Sequence, residues 1–198
     1  MPRRYSMGSR GNATERTRTR IRTALVKLLG QKAYGSITMA NIAEEADVSV
    51  RTVQRHYGSK DDVLAAACRH SAQWLTEELS RGPPGRSPEE AVGRLVRAQF
   101  EYYRQHDGEC WAVYSRSADV PEVQKSVRAA AAASAAPVEA LIARWPQAWA
   151  VDRQTASTAI LALTTYPAWR GFTDFSGLGS EEAVALVTDL LCRALLRH

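Results

Sequence analysis

Residues 37–60 restrict the fold more than any other part of the chain, because they read as two short helices joined by a tight turn, the layout of a helix-turn-helix. Thr38 is placed to N-cap the first helix. Ile42, Ala43 and Ala46 fall on one side of it at helical spacing, and the small Ala43 lets a second helix come close. Val48 plugs the turn, Ser49 caps the second helix, and Val53 and Tyr57 turn inward at i and i+4. The outer face of the second helix carries Val50, Arg51, Gln54 and Arg55. Arg pairs bidentately with guanine, and Gln with adenine, in the major groove. The same pattern also suits an ordinary helical hairpin with a solvated basic face. Asp47 stands in the turn where a left-handed conformation is needed and Gly is usual; Asp tolerates that region better than most residues, so a modest stability cost is expected.

Charge is distributed in step with this motif. Residues 1–60 hold 12 Lys and Arg against 4 Asp and Glu, whereas residues 61–198 hold 14 against 17. A basic segment gains affinity for a phosphate backbone through counterion release. An anionic membrane would attract the same charge, but no strongly apolar anchor accompanies it. No stretch approaches the roughly 20 apolar residues that span a bilayer, and the basic N-terminus lacks an apolar signal core. Cys68, Cys110 and Cys192 are scattered, which argues for a reducing cytosol and against a disulfide frame or zinc site. The expectation is a cytoplasmic protein; a redox-sensing cysteine is the alternative use of these thiols.

Thr38 to Lys60, with the helix before it, resembles the N-terminal domain of the tetracycline-repressor (TetR) family of transcription regulators. That family's pattern is matched here by Thr38, Ile42-Ala43, Ala46-Asp47-Val48-Ser49, Thr52-Val53-Gln54-Arg55-His56-Tyr57 and Lys60. The resemblance covers about a quarter of the chain; the remainder matches only in length and helical layout. It implies phosphate contacts from Thr38, Thr52, His56 and Lys60, with Ser49 at the same surface, and places Val50, Arg51 and Arg55 nearest the bases. Gln54 stands where the family usually has Tyr, so it either holds a phosphate or reads a base.

The 198 residues, 45% hydrophobic, are enough for one large or two small domains. Residues 1–16 read as a flexible basic arm whose Arg3, Arg4 and Arg10 either hang free or touch DNA. Residues 17–62 read as a three-helix DNA-binding domain and 63–198 as a larger helical domain for ligand binding and dimerisation, all-α, with about nine helices in total. The first helix is expected from Thr17 to Leu29, ended by Gly30. The next after the motif starts at Ser59, with a stripe through Leu64, Ala67, Cys68, Ser71, Trp74 and Leu75, and is broken by Gly82-Pro83-Pro84-Gly85. Ser87-Pro88-Glu89-Glu90 opens another, which Asp107-Gly108 ends. A short helix over Trp111–Ser117 follows, then one from Pro121 that Pro137 kinks or splits and Trp145-Pro146 closes. A helix over Asp152–Trp169, with Pro167 near its end, and a last one capped by Ser180 complete the reading, with no strand.

The last helix carries two apolar stripes, Val184, Val187, Leu191, Leu195 and Ala183, Leu186, Leu190, Ala194. One wet side needs only one stripe, so the second points to a partner. With Ala159, Leu163 and Trp169 of the preceding helix, the residues Leu186, Leu190 and Ala194 are the expected homodimer interface, a four-helix bundle; a central helix in a monomer is the alternative. Phe100, Tyr103, Trp111, Tyr114, Trp145 and Thr164 form the expected wall of a small-molecule site, although aromatic residues at helical spacing also make plain core. Arg116 or Arg144 would suit an anionic group there, or the solvent.

Nothing in the sequence announces an enzyme, a metal or a cofactor. His56, His70, His106 and His198 share no ligand spacing, and neither a nucleophile elbow nor a phosphate loop is present. The resulting expectation is a repressor released from palindromic operator DNA by a small molecule. A ligand-independent regulator or activator on the same fold is one alternative, and a helical binding or catalytic protein with an incidental basic face is another.

Overall fold

The computed structural model describes residues 7–81 and 85–197. Arg3, Arg4, His198 and most of the Gly82–Gly85 break lie outside them, as do the side chains of Arg10 and Ser71. Among the described residues the chain is all-α: α1 (Met7–Gln31), α2 (Met39–Glu45), α3 (Val50–His56), α4 (Lys60–Ser80), α5 (Pro88–Gln105), α6 (Asp107–Tyr114), α7 (Pro121–Ala133), α8 (Ala135–Arg144), α9 (Arg153–Leu163), α10 (Tyr166–Arg170) and α11 (Ser180–Leu195). A 3₁₀ turn covers Tyr34–Ser36 and a π-helical turn Gly171–Phe175. One isolated antiparallel bridge pairs Trp149 with Leu196.

The helix count exceeds the expected nine at two identifiable breaks. Pro137 falls in the first turn of α8, where its missing N–H is harmless, and the chain breaks ahead of it at Ser134. Pro167 likewise sits in the first turn of α10, not near the end of a longer helix. Thr165 caps that turn in an extended conformation (φ −77°, ψ 159°), so the expected Asp152–Trp169 helix is two helices. Other boundaries move for equally local reasons. α1 starts at Met7, ahead of the expected Thr17. α6 begins at Asp107, where a helix end was expected. Ser180 is the first residue of α11 and not its cap; Gly179 holds that position and donates its N–H to the Glu182 carboxylate at 2.8 Å.

The chain divides into two compact units. One comprises the residues up to Cys68 together with Trp111–Val127; the other comprises Arg69–Cys110 and Arg128 onward. The first unit is built on the apolar stripe of α1, where Ile21, Leu25 and Leu29 are fully buried. Ile37, Ile42, Val53, Val63 and Leu64 complete that core. Ala112 of α6 lies 3.7 Å from where a Cβ on Gly30 would stand, and Arg116 Nε donates to the Leu29 carbonyl at 3.4 Å, covering the end of α1.

The second unit centres on α11 packed along α5. Val92, Leu95, Val96 and Phe100 of α5 meet Val184, Val187 and Leu191 of α11, with Val138, Ile142, Ile160 and Trp169 closing the cluster. Gly85 is required just before α5, because a Cβ there would sit 2.7 Å from the Ala91 backbone nitrogen. Contrary to expectation, one helical stretch, Pro121–Arg144, is long and apolar enough by composition to cross a membrane, with mean hydropathy 1.2. Its alanines supply that value, only 22% of it is buried, and the break at Ser134 divides it.

Candidate nucleic-acid interface

The turn between α2 and α3 is a Schellman motif with an unusual residue at its pivot. Asp47 adopts φ 50°, the only positive φ at a non-glycine position among the described residues. Its N–H donates to the Glu44 carbonyl at 3.0 Å, and the Val48 N–H reaches back to Ala43 at 3.0 Å. These two bonds satisfy the last carbonyls of α2, as a C-terminal glycine normally allows. Arg20 of α1 holds the pivot: its Nη2 donates to the Asp47 carbonyl at 2.7 Å and to the carboxylate at 2.9 Å.

Both short helices begin on caps that the sequence announced. The Asn41 N–H donates to Thr38 Oγ1 at 3.1 Å while the Thr38 N–H donates to Asn41 Oδ1 at 3.1 Å, a reciprocal box. The Thr52 N–H donates to Ser49 Oγ at 3.1 Å, and the Ser49 and Thr52 hydroxyls lie 2.9 Å apart. Helices this short are not stable alone, so the caps and the buried Ile42, Ala43 and Val53 hold them in place.

These anchors leave one face of α3 uncommitted. Arg51, Gln54 and Arg55 are exposed and make no hydrogen bond or ion pair among the described residues. Val50 beside them is 39% exposed, and Val53 behind them is fully buried. His56, half-buried at the end of α3, has its pKa lowered by burial and by the nearby Arg55 and Arg18 charges, so its imidazole is neutral at neutral pH.

Lys60 is placed differently from its neighbours on this surface. Its Nζ donates to the carbonyls of Tyr34 at 2.8 Å and Ile37 at 3.0 Å, and lies 4.4 Å from the centre of the Tyr34 ring. The Tyr34 hydroxyl in turn donates to Asp61. This knot ties the first turn of α4 to the segment before α2. Tyr34, Asp61 and Arg20 were missed by sequence reasoning. Their partners lie 26 or 27 positions away, and no periodicity marks such a pairing.

The residues of the expected ligand wall fall in both units. Phe100 is fully buried in the core of the second unit, and the buried Thr164 hydroxyl donates to Ile160 at 2.7 Å. Tyr103 donates to the Thr164 carbonyl at 3.1 Å and packs against Tyr166 and Trp169, ring centres 5.4 and 6.1 Å away. Trp145 lies at the end of α8 under the Arg144 guanidinium. Trp111 and Tyr114, 51% and 38% exposed, belong to the first unit. A cleft of about 400 Å³ in the second unit has Trp74, Leu79, Arg94, Arg97, Glu101 and Gln105 in its lining, with none of the six expected residues. The buried Trp169 indole N–H has no acceptor among the described residues.

Of the residues expected at a dimer interface, Leu186 and Leu190 are 39% and 43% exposed. Ala194 is also exposed, and Ala159 and Leu163 are half-buried. Trp169 is only 6% exposed and belongs to the core. No three His, Cys, Asp or Glu side chains cluster as metal ligands would among the described residues.

Residues 21–67 match the family model described as bacterial regulatory proteins, tetR family. Over this segment the chain is similar to the DNA-binding domain of that family. The transcriptional repressor KstR of Rhodococcus jostii is 32% identical over 96 residues, 48% of this chain and 44% of that protein. The alignment thus spans less than half of that relative's length. Among solved structures, the fatty acid degradation regulator FadR from Bacillus halodurans superposes with a TM-score of 0.71 at 16% identity, over 88% of this chain and 94% of that one. FadR from Bacillus subtilis, crystallised with stearoyl-CoA, gives 0.70 at 14% identity over 88% and 97%. At such identities the likeness is one of fold, and it extends through both units of the chain.

Proposed function

We propose that this chain is a sequence-specific DNA-binding regulator of the TetR family, a repressor released from a palindromic operator by a small-molecule effector. One observation carries the DNA reading: α3 is pinned on one side by the buried Val53 and presents Arg51, Gln54 and Arg55 uncommitted on the other. In a major groove the two guanidiniums suit guanine and the Gln54 amide suits adenine. Thr38, Ser49 and Thr52 lie at helix N-termini, where phosphates are held, and His56 lies at the far end of α3, where its side chain would have to reach a phosphate. The repressor function named for KstR supports the same reading.

Residues 17–62 carry the DNA reader in this account, and 63–198 serve effector binding and dimerisation. Leu186, Leu190 and Ala194 on α11, with Ala159 and Leu163 on α9, form the self-complementary face of a homodimer. Two readers related by a two-fold axis address half-sites about 34–36 Å apart. The effector binds in the second unit, where an oxygen acceptor would satisfy the Trp169 N–H. It acts by favouring one position of α4, whose first residues belong to the reader. Each tenfold loss of operator affinity requires about 1.4 kcal/mol of coupling.

The test pairs DNA binding with mass. Binding to duplex DNA must fall steeply with salt, and the sedimenting species must be twice 21.8 kDa. Weak, salt-insensitive binding by a monomer would overturn the reading.

A further inference from the structure

We propose that Arg20 is a positioning residue for the recognition helix, acting through Asp47 and not through DNA. Asp47 is the one non-glycine residue in the left-handed region among the described residues, and it occupies the pivot from which the chain enters α3 two residues later at its Ser49 cap. An L side chain at such a φ is strained, and Asp is tolerated because its short polar group finds a local partner. Here that partner comes from α1. The two hydrogens of Arg20 Nη2 take the Asp47 carbonyl at 2.7 Å and its carboxylate at 2.9 Å.

An exposed ion pair alone contributes little, and this one is open to solvent, with 49% of the Arg20 side chain and 99% of the Asp47 side chain accessible. The clasp differs from an ordinary surface pair because it also fixes the peptide carbonyl of the strained residue. It therefore sets the direction in which the chain leaves α2. The clasp also neutralises Arg20, so this residue, although basic and on the basic unit, releases no counterion when DNA binds. Gly at position 47 would need no such partner, so the importance of Arg20 depends on the residue opposite it.

The inference rests on the DNA reading for its consequence but not for its geometry, and a double-mutant cycle with two readouts separates the two. Wild type, Arg20→Gln, Asp47→Gly and the double variant are compared as full chains. The first readout is affinity for a sequence selected from a random duplex pool, at several salt concentrations. The second is hydrogen exchange at the Val48 amide, which donates to Ala43. Arg20→Gln is expected to lower affinity about three- to tenfold in the wild-type background and less than about twofold in the Asp47→Gly background. The salt slope should stay unchanged, and Val48 exchange should quicken only where Asp47 is present. A loss of affinity equal in both backgrounds, with the slope reduced by about one unit, would make Arg20 a phosphate contact and overturn the proposal. Unchanged Val48 exchange in Arg20→Gln would overturn it as well, whether or not the protein binds DNA.

Discussion

The two units of this chain use their polar side chains in opposite ways. In the first, hydroxyls and charges are tied to backbone groups: Thr38 and Ser49 cap helices, Lys60 holds two carbonyls, and Arg20 holds a third. What remains is a small set on α3, held in a fixed place. In the second unit the informative groups are the ones left incomplete. Leu186 and Leu190 are exposed on a helix whose opposite stripe is buried, and the Trp169 N–H is buried without an acceptor among the described residues. A reader of DNA needs its contact residues fixed before binding, because ordering them later would cost affinity. A dimerising, effector-responsive unit needs surfaces and polar groups that another molecule completes. The contrast is what a regulator with separate reading and sensing parts should show.

Substitutions on α11 probe the contrast most strongly. Leu191→Ala, at a site 1% exposed, should cost about 2–5 kcal/mol in thermal or denaturant unfolding. Leu190→Glu, one residue earlier, should leave the second unit folded yet shift the sedimenting species to the monomer. Unfolding by both would mean that the exposed stripe is not an interface. Next in size is Lys60→Ala, which removes two charge-assisted hydrogen bonds to backbone carbonyls. A loss of about 1.5–3 kcal/mol for each would be an upper bound, because Lys60 is only partly buried. Unfolding should register it, while the salt slope of DNA binding changes by less than one unit. A full unit of slope with unchanged stability would return Lys60 to the phosphate contacts that the family resemblance implies.

Arg51→Ala sharpens the comparison within α3. It should weaken binding to a selected site by about 1–3 kcal/mol and affect random DNA much less. Equal losses on both would remove Arg51 from base reading. The smallest effect concerns His56. Its folded pKa lies below the usual 6.5, so the unfolded chain takes up a proton first as pH falls. Stability is therefore whole above pH 6.5 and declines as pH drops toward the folded value. Over the same range a newly charged imidazole should strengthen DNA binding. His56→Gln should flatten both trends, and an unchanged pH profile would show that His56 does not titrate there.

Much of the reader was legible in the sequence because its signals are local. A cap lies three residues from the N–H it accepts, and a buried stripe repeats every three or four. Thr38, Ser49, the buried Ile42 and Val53, and the exposed Arg51 and Arg55 all follow from such spacings. Asp47 was legible as a left-handed residue, but its partner was not, since Arg20 lies 27 positions away and off the apolar stripe. The second unit was legible in its helices and in the double stripe of α11. For the expected ligand wall, helical spacing does not separate pocket aromatics from core aromatics, and Trp111 and Tyr114 fall in the first unit. Pro137 was legible as a point where the helix kinks or splits, and the chain splits just ahead of it at Ser134; Pro167 was read as lying near a helix end, whereas it opens α10 behind the Thr165 cap.

Selection of bound sequences from a random duplex pool, using the full chain at near-physiological salt, tests the central claim most directly. The account predicts enrichment of a palindrome whose half-sites lie about one DNA turn or slightly more apart. Salt-sensitive binding with no enriched sequence would contradict it, reducing the α3 face to a basic surface and leaving the second unit as the functional part.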